Sequence, residues 1–201
     1  MFGPKPGLMP MTNRDVFAVS WQGGGGLGDP LDREIAAVAT DVASGLVSID
    51  AARVIYGVVV AHGNVDTDAS TTLRQSLRKQ RLAAKSKTVT APAGRSGIAR
   101  DAETVGHIGE SLRLVRSGGQ IHVVSDAGAV LSSGTTKWRD GAHKITRDQP
   151  AKEHCILLHE QLALTTYYCP ISGAQLAVDI HRKDEQPSHD VVLDMRAVNA
   201  S

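Results

Sequence analysis

The chain has 201 residues and a mass of 21.3 kDa, enough for one large domain or two small ones. Hydrophobic residues make up 41% and charged residues 21%, which excludes disorder over the whole length. The net charge of +1 excludes a strong whole-chain attraction to nucleic acid or to anionic membranes. Two cysteines exclude a disulfide scaffold, and no apolar run approaches the roughly 20 residues of a membrane helix. Since the first ten residues also lack an apolar signal segment, we expect a soluble, cytoplasmic protein.

Aromatic residues are scarce, at 3% of the chain. Aromatic side chains bury the most area per residue, so their scarcity predicts a thin hydrophobic core. Small domains with thin cores are marginally stable alone and gain stability by binding a partner. The composition therefore favours a protein that works within an assembly.

The first half of the chain combines a glycine-rich loop with helical segments. A period-2 pattern predicts a strand over residues 15–21, and residues 23–28 contain five glycines that no regular element accommodates. Three helices are predicted after the loop, because apolar residues recur at helical spacing behind residues that favour N-caps. They are expected over residues 29–45, 48–57 and 66–84, with a short buried strand at residues 58–60. The third helix carries basic side chains that we predict to be exposed: Arg74, Arg78, Lys79 and Arg81.

The second half reads as short strands joined by turns. Residues 85–101 lack an apolar period and predict a flexible linker between a domain at 1–84 and another at 102–201. A hairpin is expected at residues 112–124, because two apolar runs flank Gly118 and Gly119. Further strands are predicted at residues 129–131, 160–168, 176–180 and 191–195, with a tight turn at residues 169–173. The sequence thus predicts an α+β protein with a small α/β module (strand, glycine loop, three helices) followed by a small, mostly β module.

The glycine loop satisfies the dinucleotide-binding spacing, with Gly23, Gly25 and Gly28 between a strand and a helix. Backbone N–H groups at such a loop can approach a phosphate, but Asp29 at the helix start would repel one. The acid expected to bind a ribose would be Asp50, which falls inside a predicted helix. We therefore favour close packing of the loop against another chain, with nucleotide binding as the alternative. The predicted interface residues are Trp21, Gly23, Gly24, Gly25, Gly26, Gly28 and Asp29.

The basic run over residues 74–87 lacks the interleaved aromatic residues typical of nucleic-acid binding. A solvated helix face, or a docking surface for an acidic partner, explains it better.

Histidines and cysteines concentrate late in the chain, at His154, Cys155, His159 and Cys169. The turn at residues 169–173 has the shape of a zinc knuckle, but Ser172 stands where a second thiolate is needed, and hydroxyls bind zinc poorly. We favour a buried, inert Cys155 over a catalytic pair with His154, since sequence neighbours point apart on a strand or a helix. We assign no catalytic residue, no cofactor-binding residue and no metal ligand to this chain.

Residues 15–83 resemble the C-terminal part of hydantoinase B/oxoprolinase family subunits. Residues 21–31 read WQGGGGLGDPL, similar to the family signature GGGGxGDP. Residues 41–58 resemble its DV…G.VS…A…YGV stretch, and residues 65–74 its VD…T…R ending.

Residues 105–195 resemble, more faintly, the small gamma subunit of acetone/acetophenone carboxylases, which implies a zinc-ribbon-like module. Residues 167–178 read YYCPISGAQLAV, similar to YYCPxCGxxLxVE, and residues 189–191 are similar to a closing HDI. An earlier CxxCG knuckle aligns with residues 124–128, where Val124 and Ala127 replace both cysteines. Three of the four thiolates are missing, so the resemblance does not carry the metal over.

The resemblance implies a complex of hydantoinase A-like and B-like large subunits that uses ATP to activate carbonyl compounds, for carboxylation or for lactam and hydantoin opening. In that family the phosphoryl chemistry belongs to the A-like subunit and the metal centre to the body of the B-like one. This chain resembles only the B-like tail, which implies a noncatalytic small subunit of a hetero-oligomer. ATP and a divalent metal would be bound by the other subunits. An independent enzyme and a free-standing nucleotide-binding or regulatory module remain the alternatives.

Overall fold

The computed structural model describes residues 10–16, 27–61, 63–84, 98, 102–134, 137–149 and 158–185. Helices and antiparallel sheets both occur there, which confirms the predicted α+β class. The predicted strand at 191–195 lies outside the described residues, as do nearly all of the predicted linker and most of the predicted strand at 15–21. The division into two domains stays a prediction.

Three α-helices follow a short 3-10 helix, Pro30–Asp32, in the first half. They are α1 (Ile35–Ala43), α2 (Ile49–Val54) and α3 (Thr67–Ala83). The predicted N-caps Asp29 and Ser48 are confirmed, because each side chain accepts a backbone N–H of the following turn. Asp66, where the third helix was expected to begin, caps α3 in the same way. The continuous first helix is wrong, since Arg33 has an extended backbone and separates Pro30–Asp32 from α1. None of the helices in the described ranges combines the length and apolar character needed to cross a membrane.

A small hairpin links α2 to α3 and closes the helical half. It pairs β1 (Val59–Ala61) with β2 (Asn64–Asp66) in antiparallel register. The predicted strand at residues 58–60 is shifted by one residue, and β2 was missed because three residues carry no readable period. Val38, Ala52 and Val58 are fully buried behind this hairpin and form the helical core.

The second half contains two antiparallel sheets. Their strands are β3 (Thr104–Ile108), β4 (Leu112–Ser117), β5 (Gln120–Ser125), β6 (Val130–Ser133), β7 (His143–Arg147), β8 (Leu162–Tyr168) and β9 (Gln175–Arg182). The first sheet has the order β3-β4-β5-β6, and the second has the order β7-β8-β9. The predicted hairpin between β4 and β5 is confirmed, with Gly118 and Gly119 at positive φ in its turn. Sequence patterning missed β3 and β7, because polar residues interrupt their apolar positions.

Two aromatic residues of the second half, Trp138 and Tyr167, belong to a core cluster that draws residues from both of its sheets. The rings of Trp138 and Tyr167 lie 6.0 Å apart, and both side chains are buried. The Arg139 guanidinium lies over both rings and forms an ion pair with Asp179 on β9. These two rings and the stacked guanidinium fill part of this core cluster, although the chain has few aromatic residues.

We expect Tyr167 to ionise only at strongly alkaline pH. Burial, reinforced by the charge of Asp179, raises the pKa of Tyr167 from 10.0 to about 12. Because the folded pKa exceeds the unfolded one, the neutral phenol stabilises the fold below pH 10, and this contribution is lost as pH rises towards 12. In Tyr167→Phe, ultraviolet titration should lose its most alkaline tyrosinate transition. An unchanged alkaline end of the titration curve would contradict this assignment.

Candidate interaction site

The two halves of the chain meet at a buried carboxylate, Asp29, whose side chain is 1% exposed. Arg81 on α3 donates from Nη1 to Asp29 Oδ2 at 2.7 Å and from Nη2 to Oδ1 at 3.1 Å. From the other half, the Gln175 backbone N–H donates to Asp29 Oδ2 at 3.0 Å. Arg81 in turn donates to the Gly173 carbonyl of that half at 3.1 Å. Asp29, Arg81, Gly173 and Gln175 are here called the Asp29 junction. It ties the helical half to the turn before β9.

The electrostatics of the Asp29 junction favour the charged carboxylate. Burial by itself would raise the pKa of Asp29, but the Arg81 ion pair and the N–H groups of Leu31 and Gln175 outweigh it and hold the pKa below 3.8. A carboxyl with a depressed folded pKa stabilises the fold above its unfolded pKa, and this contribution is lost as pH falls through the folded value.

The arginines of α3 are half-buried and bonded within the chain, so the exposed basic face that the sequence predicts is wrong for them. Arg81 belongs to the Asp29 junction, and the other two contact groups of the helical half. Arg74 donates from Nε to the Tyr56 carbonyl at 2.9 Å and from Nη2 to the Arg33 carbonyl at 2.6 Å. Arg78 forms an ion pair with Asp32. Arg74, Arg78 and Arg81 are spaced by four and three residues, so they share one helix face, and that face turns inward. Only Lys79, of the four named side chains, is fully exposed.

The predicted tight turn is confirmed. The Gly173 N–H donates to the Cys169 carbonyl, and the Cys169 N–H donates to the Ala174 carbonyl, both at 2.8 Å. Gly173 has φ +70°, and a Cβ there would lie 2.6 Å from the Arg78 carbonyl oxygen on α3. Glycine is therefore needed at this position for two reasons: its backbone has positive φ, and α3 approaches too closely for a side chain.

A second turn of similar form faces the first. The Ser125 N–H donates to the Ala129 carbonyl at 2.9 Å, and the Gly128 N–H donates to the Ser125 carbonyl at 2.8 Å. Ser125 Oγ lies 3.3 Å from Cys169 Sγ. Alignment with a zinc knuckle pointed to Val124 as the opposing position, so sequence reasoning missed Ser125. Within the described ranges, no three His, Cys, Asp or Glu side chains lie close enough to hold a metal ion.

Two cavities flank the Asp29 junction. A polar pocket of about 390 Å³ lies beside the two turns and is lined by Arg78, Ser125, Asp126 and Ser172, among others. A hydrophobic groove of about 330 Å³ opens on the other side, between α3 and the β7-β8-β9 sheet.

The structure describes two of the predicted interface residues, Gly28 and Asp29. Gly28 is exposed with φ +69°, as a tight turn requires, whereas Asp29 is buried within this chain. Trp21, Gly23, Gly24, Gly25 and Gly26 lie outside the described residues, and so do His154 and Cys155. His159 is exposed and Cys169 is buried. The packing of the glycine loop against another chain stays a prediction.

We expect Arg81→Gln to destabilise the protein by about 3 kcal/mol, because it removes the guanidinium that contacts both oxygens of a buried carboxylate and leaves the more distant Arg78 guanidinium, at 3.7 Å. Urea unfolding measures the loss. Arg182→Gln is a matched control, since Arg182 is 52% exposed where it pairs with Asp184, and exposed pairs contribute little. Equal losses in the two variants would contradict a structural role for the Asp29 junction.

We expect Gly173→Ala to cost more stability than Gly128→Ala. Both glycines have positive φ, so each alanine adds backbone strain of about 1 kcal/mol. A Cβ at Gly128 meets nothing within 4 Å, whereas a Cβ at Gly173 collides with α3 and should cost about 2 kcal/mol more. Thermal or urea unfolding of both variants tests this, and equal losses would show that α3 does not press against the turn.

Comparisons with known proteins find short, strong similarities. The chain is 58% identical over 50 residues to caprolactamase subunit beta of Pseudomonas jessenii, covering 25% of this chain and 8% of that protein. It is 42% identical over 77 residues to acetone carboxylase alpha subunit of Xanthobacter autotrophicus, covering 36% of this chain and 10% of that protein. The chain thus spans about a tenth of the length of the curated relatives it matches, and no family model matches it. These partial matches suggest the hydantoinase/oxoprolinase-like relationship that the motifs indicate.

Proposed function

We propose that this chain is a noncatalytic small subunit of an ATP-dependent carboxylase- or hydantoinase-like complex. It completes a B-like large subunit and acts as a scaffold for assembly. Two relatives named as subunits support this proposal, one of a caprolactamase and one of an acetone carboxylase. The matched region is about a tenth of either relative, and the proposal assigns the body of the B-like subunit to another chain.

The observation that carries the proposal is the burial of Asp29. This residue ends the glycine-rich motif, where a phosphate-binding loop would present N–H groups to an anion. Here its carboxylate accepts bonds from Arg81 and Gln175 and joins the two halves of the chain. A buried negative charge at this place suits a structural junction better than a phosphate site.

The cofactors of the complex follow from the same proposal. ATP and a divalent metal are assigned to the A-like and B-like large subunits, and none to this chain. Cys169 is held by Ser125 at the point where a knuckle would hold its metal, and a thiol paired with a hydroxyl lacks the thiolate set that zinc requires. The protein would accordingly act in the cytoplasm as part of a hetero-oligomer.

Co-expression of the tagged chain with the A-like and B-like large subunits of the same organism tests the proposal. We expect a stable complex of all three, with ATP-dependent turnover that requires the large subunits. The isolated chain should hydrolyse no ATP, and turnover by the chain alone at about 1 per second would refute the noncatalytic role.

The variant Gly25→Val separates this proposal from the nucleotide-binding alternative. We expect it to weaken assembly with the large subunits, because the proposal packs the glycine loop closely against another chain and a valine side chain would obstruct that contact. The alternative expects normal assembly and the loss of a nucleotide that the free wild-type chain binds.

A further inference from the structure

The hydrophobic groove beside the Asp29 junction has the shape and lining of a docking site. Ile55 and Leu77 line its helical wall. Its other wall is one face of the β7-β8-β9 sheet, where Ile145, Thr166 and Val178 lie side by side across the strands. The neighbouring cross-strand row consists of Arg147, Leu164 and Ile180.

The apolar face continues past the mouth of the groove into solvent. Val178 is 43% exposed and Ile180 is 64% exposed, although both belong to a regular strand. They lie on β9, whose outer edge pairs with no strand in the described ranges. Apolar side chains that stay exposed on a sheet face beside a groove offer contacts to a segment that lies across the strands.

The charges of the groove indicate the chemistry of its occupant. Arg81 and Arg147 are the charged residues that line it in the described part of the chain. Asp29 neutralises Arg81, whereas Arg147 forms no ion pair with any residue that the structure describes. An apolar segment bearing a carboxylate would complement this arrangement.

We propose that the groove receives an apolar segment of the B-like large subunit that lies across the row of Arg147, Leu164 and Ile180, covers the exposed apolar side chains of β9, and places a carboxylate at Arg147. The inference rests on the proposed function, in which most of that subunit is a separate chain. A second copy of this protein is the alternative occupant, and the test below distinguishes the two.

The test uses the full chain co-expressed with both large subunits, and its readout is the affinity of the purified chain for the large-subunit pair. We expect Ile180→Glu and Arg147→Glu each to weaken binding by about tenfold or more, because each opposes the occupant in polarity or charge. Val105→Glu is the matched control. It replaces an exposed apolar side chain (38% exposed) on β3 in the other sheet, and it should bind within about twofold of wild type. Far-ultraviolet circular dichroism and urea unfolding verify that each variant is folded.

The possible outcomes separate this inference from the proposed function. If wild type binds and Ile180→Glu and Arg147→Glu bind as tightly as Val105→Glu, the groove is not the docking site and the proposed function stands. If wild type fails to bind the large subunits at all, the proposed function fails. Sedimentation of the chain alone tests for a second copy as the occupant. If wild type self-associates and Ile180→Glu does not, a second copy occupies the groove and the inference is overturned.

Discussion

The buried ion pair between Asp29 and Arg81 is the constraint on which the arrangement of this protein depends. A carboxylate that is 1% exposed is tolerated only when charges and N–H groups surround it, and Asp29 takes these from both halves of the chain. Removing either side would leave a charge in a desolvated place. The pair therefore fixes where α3 meets the turn before β9, and the cavities on either side follow from that contact.

Backbone hydrogen bonds and the packing of a helix hold the turn at residues 169–174. The Cys169 and Gly173 backbone groups close the turn, and Cys169 Sγ lies 3.3 Å from Ser125 Oγ of the facing turn. The Arg78 carbonyl of α3 lies so close to Gly173 that a Cβ there would meet it at 2.6 Å. The contact between α3 and this turn therefore depends on a glycine.

A shortage of aromatic residues shapes both halves. In the second half, Trp138 and Tyr167 belong to a core cluster drawn from both sheets and are extended by the stacked guanidinium of Arg139. In the first half, the buried core cluster of the described residues consists of Val38, Ala52 and Val58, with Tyr56 among the partly buried residues packed against it. At the surface, Val178 and Ile180 are exposed beside a hydrophobic groove. Such a protein gains stability by covering that face, which agrees with a role inside a larger assembly.

The sequence by itself determined the elements whose signals are local. Helix N-caps at Ser48 and Asp66, the hairpin at Gly118 and Gly119 and the turn at Cys169 all follow from the residues at those positions. Short or polar-interrupted strands such as β2 and β7 carry no such signal and take their form from the strands beside them.

Only the tertiary structure decided how distant residues are used. The position of a charged residue in the sequence does not reveal its partner. The sequence therefore predicted an exposed Arg81 and an Asp29 that repels phosphate, whereas these residues, 52 positions apart, form an ion pair with each other. The knuckle alignment gave Val124 as a position of interest, whereas in the structure it is Ser125 whose hydroxyl lies next to the Cys169 thiol. Polar pairing across a chain depends on three-dimensional proximity and on desolvation, and these exist only once the chain has folded.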